Sequence, residues 1–188
     1  LEERLEASTK WYEKVLNNKQ STGDMKARAL WNAAWSELTL GDDTSAETRF
    51  KSVTEMDNLP PEIKADAWLR LAIIARRGGQ ETTSRWRAQK SLAIADSAGL
   101  ARIQDDVRLF LAESAYLKNE YTSALEILEK VREQGYAFFQ LKGQVYFDTR
   151  QYADAKPFFE KAAAAAPAPD QRNNSLFDLA QALFNLKS

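Results

Sequence analysis

The chain has 188 residues, 44% hydrophobic and 28% charged, with a formal net charge of -1. This length can bury a sizeable core as one domain, and the near-neutral charge gives no overall drive towards nucleic acid. Cys and His are both absent. That removes the commonest zinc ligands, the thiol nucleophiles and the usual general base together, while carboxylates or a Ser–Lys pair could still do chemistry.

The first predicted helix is Glu2–Asn17, with apolar or small residues at Leu1, Leu5, Ser8, Tyr12, Val15 and Leu16. A polar loop follows, with Asp24 as the expected cap of a helix Met25–Leu40 that stops at Gly41-Asp42-Asp43. Thr44 or Ser45 opens the next helix, which runs to about Met56 before Pro60-Pro61 breaks the chain. Helix Glu62–Arg77 ends at Gly78-Gly79, and a longer loop, Gln80–Ser84, leads to helix Arg85–Ser97. Then come Arg102–Leu117 and Thr122–Glu133, Tyr136–Asp148 and Ala153–Ala166, a closing Pro167 and Pro169, and Asn174–Lys187. Pro157 falls near the start of its helix, where a missing donor costs least. No segment alternates at period two for long enough to argue a strand. The expected class is all-α, about ten helices in antiparallel pairs joined by short turns.

The pairs repeat. A first element reads Leu30…Ala33-Ala34, Trp68…Leu71-Ala72, Arg108…Leu111-Ala112, Phe139…Lys142-Gly143 and Leu176…Leu179-Ala180. A second element, small then bulky then small or β-branched, follows the first four. It comprises Ala46, Phe50, Val53; Ala88, Leu92, Ala95; Ala124, Leu128, Val131; and Ala155, Phe159, Ala162. The two small residues are separated by 12, 16, 12 and 12 positions, and the 16 is assigned to the longer loop before Ala88. The small residues let helix backbones approach, and the bulky ones fill the gap to the next pair. One such hairpin cannot bury its apolar face alone, so the copies stack.

This pattern resembles the tetratricopeptide repeat, best at Phe139, Lys142, Gly143 and Tyr146 followed by Tyr152, Ala155, Phe159, Ala162 and Pro167. The copy at Trp68, Leu71 and Ala72 keeps the first half of the pattern. The others are more degenerate, and Glu37 stands where an aromatic is usual. The resemblance covers nearly the whole chain. It implies an α-solenoid of stacked antiparallel helix pairs, a right-handed superhelix in this family, as one domain over 1–188. Repeats are expected at about 25–59, 62–99, 102–135 and 136–169, with partial ones at 1–20 and 173–188. Because Leu1 is not Met, and because the last helix carries Phe177, Leu183, Phe184 and Leu186, a longer parent protein is expected.

The resemblance also implies a groove lined by the first helices. By register it holds Trp31, Trp35 and Leu38; Leu69, Ile73, Arg76 and Arg77; Leu109, Glu113 and Tyr116; Gln140, Gln144 and Phe147; and Phe177 and Gln181. Such a mixture suits a peptide or amphipathic helix held by aromatic anchors. Trp31 and Trp35 have a second reading as core, since one step of register turns them inward. Because they occupy the places where some relatives carry a Lys and Asn carboxylate clamp, no such clamp is expected. Arg70, Arg76, Arg77, Arg85 and Arg87 form the densest positive cluster, with Trp86 inside it. One reading is a site for an acidic partner or for a phosphate near Gly78-Gly79, and the favoured one is solvated helix ends with cations near the carbonyl terminus. Gly41-Asp42-Asp43 lacks the ligand spacing of a calcium loop, and Gly78-Gly79 that of a phosphate loop.

The expected function is a non-catalytic scaffold or adaptor for a protein or peptide partner, without cofactor, metal or nucleic acid. The alternative is a repeat module that positions subunits of a bacterial envelope assembly or export machine. No run approaches the roughly 18 apolar residues that span a bilayer, so no membrane insertion is expected. No signal peptide is read. The compartment is left between cytoplasm and periplasm, leaning to the bacterial periplasm. Self-association through exposed terminal helices is a further expectation.

Overall fold

A computed structural model describes residues 2–187, and their side chains from residue 7 onwards. The expected apolar positions Leu1 and Leu5 lie outside the described side chains. Among the described residues there are ten helices and no strand. In order they are α1 (Glu2–Asn17), α2 (Gly23–Leu40), α3 (Asp43–Glu55), α4 (Pro61–Arg77), α5 (Glu81–Ser97), α6 (Ala101–Tyr116), α7 (Tyr121–Leu128), α8 (Tyr136–Asp148), α9 (Tyr152–Ala165) and α10 (Pro169–Asn185). None is long and apolar enough to cross a membrane.

Several boundaries move for local reasons. Thr22, not Asp24, caps α2 by accepting from the Met25 N–H, while Asp24 pairs with Arg28 one turn on. Asp42 caps α3 through the Ser45 N–H, so the helix opens before Thr44. Pro61 and Pro169 stand in the first turns of α4 and α10, where the missing N–H has no helical partner to lose. Pro169 therefore begins a helix instead of closing one.

The repeat is marked by a feature that a reading of side-chain size misses. Seven positions after each small residue Ala34, Ala72, Ala112 and Gly143, the backbone turns left-handed, at Gly41, Gly79, Asn119 and Arg150. Each such residue closes the first helix of a pair, as αL termini do. Two of the four are not glycine, and for Arg150, at φ 61°, the conformation costs about 1 kcal/mol.

The loop expected over Gln80–Ser84 is not long. Helix α5 opens at Glu81, and Ser84, twelve positions after Ala72, fills the small slot. Its buried hydroxyl donates to the Ala72 carbonyl at 2.9 Å, and Ser91 donates likewise to Ala65 at 2.7 Å. Ala88 stands where the other copies carry a bulky residue. The separation of 16 was a register shift hidden by Ser in place of Ala. In α7 the correction is opposite, since the helix stops at Leu128 instead of Glu133. Asp105 draws the following chain away by accepting from the Arg132 and Glu133 N–H groups, and Arg108 holds the Lys130 carbonyl. The early stop accounts for the short 31-residue spacing between Ala112 and Gly143.

The chain divides into two compact units, Leu1–Ile103 and Gln104–Ser188. In unit 1 the core gathers Ala34, Leu38, Ala46, Phe50, Val53, Ala67 and Leu71 from α2, α3 and α4. Ser8 and Ser36 share a hydrogen bond at 3.1 Å, and Arg49 reaches both Glu37 and Glu13, so α1 is tied to α2 and α3. In unit 2 three apolar clusters follow one another. They centre on Ala112, Leu128 and Phe138; on Ala115, Ala124 and Val145; and on Ala155, Phe159 and Ala182. Each fully buried Phe or Leu contributes about 1.5–3 kcal/mol. The tightest approach is at Gly143, where a Cβ would meet two carbons of the Phe159 ring at 2.7 Å.

Candidate partner-binding groove

The inner helices of unit 1 bring Trp31 and Trp35 to one carboxylate. Both indole N–H groups donate to Asp66 Oδ2, at 2.7 and 3.1 Å. Arg70, one turn along α4, donates to the other oxygen through Nε and Nη2, at 3.1 and 2.8 Å. Its guanidinium lies over the Trp35 ring, 4.2 Å from the centroid. The indoles meet edge to face and rest on the unit 1 core while remaining half-buried. Their polar atoms are thus engaged within the fold, and Asp66 is the group that engages them.

Leu69 and Leu38 are corrections to the predicted groove, because they are only 3% and 8% exposed and belong to the interior. Helix α4 is buried around most of its circumference, from Ile63 to Ala75, so a leucine on its inner side is removed from solvent as well. Ile73 and Arg76 are half-buried, and Arg77 is exposed and paired with Asp43 at 3.0 Å. The Arg cluster is largely spoken for: Arg70 by Asp66, Arg77 by Asp43, and Arg87 by Glu47 and the Leu71 carbonyl. Trp86 sits edge-on to Trp68.

In unit 2 the first helices leave open space. A cleft of about 530 Å³ runs between α6 and α8, walled by Leu109, Phe110, Tyr116, Leu117, Tyr136, Ala137 and Leu141, with Glu113, Gln140 and Gln144 as its polar members. A second hollow of about 310 Å³ shares Tyr136, Gln140 and Gln144 and adds Asn174, Phe177 and Asp178 from α10. A third, about 470 Å³, shares Phe177 and adds Phe147, Ala180, Gln181, Phe184 and Asn185. The shared residues make the three hollows one groove. The sequence-predicted Leu109, Glu113, Tyr116, Gln140, Gln144, Phe147, Phe177 and Gln181 all line it.

Hydrogen bonds fix its frame. Gln140 donates to Asp178 Oδ2 at 2.6 Å and accepts from Ser175 Oγ at 2.7 Å, which ties α8 to α10. The Tyr116 hydroxyl donates to Asp148 Oδ2 at 2.8 Å, which ties α6 to α8. Burial, and then that bond to a carboxylate, push the Tyr116 phenol well above its ordinary range. Burial pushes the Asp178 carboxyl up; the Gln140 hydrogen bond opposes this and the Asp148 charge adds to it. The Phe147 ring is held edge-on by Tyr152 and Phe159. Phe177 stays 64% exposed. No Lys or Arg lines any of the three hollows among the described residues.

Sequence reasoning passed over Tyr136, Ala137, Asn174 and Asp178 in this lining. Ala137 and Asn174 had a readable signal, since they stand three positions before Gln140 and Phe177 on the same helical face. Asp148 had none, because its partner Tyr116 comes from another helix, and for Asp66 only the pairing with Arg70 one turn along was readable.

A tetratricopeptide-repeat family model matches residues 136–169, the stretch from α8 to the start of α10. No curated protein sequence matches the chain. Among solved structures the fold is similar to BtubC (BKLC) from P. vanneervenii. The TM-score is 0.72, with 15% identity over 99% of this chain and 83% of that one. It is similar to pilF from Pseudomonas aeruginosa, at a TM-score of 0.68 and 17% identity over 90% of this chain and 72% of that one. A third likeness is to a thermophilic TPR protein in Thermus thermophilus, at a TM-score of 0.59 and 18% identity over 94% of this chain and 91% of that one. At such identities the likeness is one of fold. One tetratricopeptide repeat is thus matched at 136–169, and the helix pairs before it share the fold of these neighbours.

Proposed function

We propose that the chain is a non-catalytic interaction scaffold that receives a peptide or helical segment of a partner protein in the groove of unit 2. The observation that carries this reading is the continuity of the three hollows, with aromatic side chains at intervals and amides between them. Aromatic anchors in partly enclosed pockets are where binding energy concentrates. The frame is preformed by Gln140 and Tyr116, so little ordering is lost when a ligand enters. With neither Cys nor His in the chain, no catalytic role is assigned. In this reading Trp31 and Trp35 support the scaffold instead of touching the ligand.

The test is a selection of binding peptides from a random library on the intact chain, repeated with Tyr116→Ala and Phe177→Ala. Binding should drop at least tenfold in each variant, roughly the size of a modest hot spot. Undiminished binding by both folded variants would remove the groove from consideration. A second reading, pairing of two copies through α10, is favoured by the exposure of Phe184, at 73%, beside Leu183 and Leu186. Light scattering over a dilution series separates it, since a monomer at every concentration contradicts it.

A further inference from the structure

We propose that the segment bound in the groove of unit 2 is basic, carrying Lys or Arg beside its apolar anchors. This deepens the reading above and rests on it. The groove combines apolar and aromatic walls with carboxylates of one sign. Glu113 lines the first hollow, Asp178 the second, and Asp148 holds the Tyr116 hydroxyl. Among the described residues the lining itself supplies no Lys or Arg. An entering carboxylate would meet like charge, whereas a cation beside one carboxylate is attracted, and more strongly at a protein surface than in bulk water.

Asp178 gives the local form of the argument. Burial and the Asp148 charge both disfavour its ionised form, and its hydrogen-bond donor here, the Gln140 amide, is neutral. A ligand ammonium or guanidinium supplies the missing charge. The nearby rings of Tyr116, Tyr136 and Phe177 add cation–π attraction for the same group. The contrast lies in unit 1, where Asp66 already holds Arg70 and has no such need.

The experiment uses the full chain and fluorescently labelled peptides that share their Leu and Trp positions and carry Lys, Gln or Glu at all others. Fluorescence anisotropy reads the dissociation constants. The Lys peptide should bind at least about tenfold tighter than the Gln peptide and weaken as salt is raised. Glu113→Lys with Asp178→Lys should abolish that preference. Ala137→Trp, which fills the first hollow, should abolish binding of every peptide. If Asp178→Lys does not fold, as judged by circular dichroism melting, Asp178→Asn, which removes the charge and keeps the shape, carries the test. Equal or tighter binding of the Gln or Glu peptide, sensitive to Ala137→Trp, overturns the basic-partner inference and leaves the groove reading standing. Binding of the Lys peptide that ignores both Glu113→Lys and Ala137→Trp overturns the inference and the reading beneath it, and so does the absence of any binding.

Discussion

Asp66 in unit 1 and Asp178 in unit 2 are both carboxylates on inner helices, and they end in opposite circumstances. Asp66 collects two indole N–H groups and a guanidinium, all supplied within the fold. Asp178 receives one neutral amide and borders open space. The same repeat geometry thus leaves one carboxylate engaged within the fold and the other beside open space. What decides between them is whether a neighbouring side chain supplies a cation.

The largest expected effect removes the engaged carboxylate. Asp66→Ala leaves Arg70 and two half-buried indoles without their acceptor, and hydrogen bonds to charged groups are worth about 1.5–3 kcal/mol each. Allowing for partial exposure, a loss of about 3 kcal/mol is expected in denaturant unfolding. Peptide binding should be unchanged, and a parallel loss of binding would show that the two regions are not independent. Next comes Gly143→Ala beside the groove. Alanine favours a helix by about 1 kcal/mol, yet the Phe159 ring at 2.7 Å is fully buried and cannot yield. Overpacking prevails, with a net cost of about 1–2 kcal/mol seen as a lower denaturation midpoint.

A smaller effect concerns Asp178→Asn. Since the folded carboxyl is raised, its stabilising contribution is complete below the ordinary Asp value of 3.8 and is lost as pH rises through the folded value. The stability of the native chain relative to the variant should therefore fall in urea titrations as pH rises from below 3.8 through the folded value. A difference that is flat or grows with pH contradicts the unsatisfied state assigned to Asp178. The smallest effect belongs to Arg77→Ala, which breaks an exposed pair with Asp43 and should cost less than about 0.5 kcal/mol by the same titration.

Helix order and pairing were legible because small residues at fixed spacing report backbone approach, and Ala34, Ala46, Ala112 and Ala124 do so plainly. Ser84 was illegible because a hydroxyl that donates to Ala72 packs as well as a methyl, yet does not look apolar in sequence. The short α7 was illegible because its end is set by Asp105, on another helix. In the groove, Leu109, Tyr116, Gln140 and Phe177 could be placed by register. The bonds that frame it could not, since Gln140 meets Ser175 and Asp178 some 35 and 38 residues along. The two tryptophans posed a choice that helical period alone does not make, because Asp66 was the missing term.

Arg87 has a consequence for how unit 1 comes apart. Its nearly inaccessible guanidinium, on α5, holds the Leu71 carbonyl of α4 and the Glu47 carboxylate of α3. In a solenoid whose repeats touch only their neighbours, melting can begin at a terminus and spread stepwise. Here α5 cannot separate from α3 and α4 without drawing a buried charge from two partners at once, and leaving Glu47 to Lys51 alone. Loss of α5 by itself is thereby disfavoured, because one side chain links α3, α4 and α5.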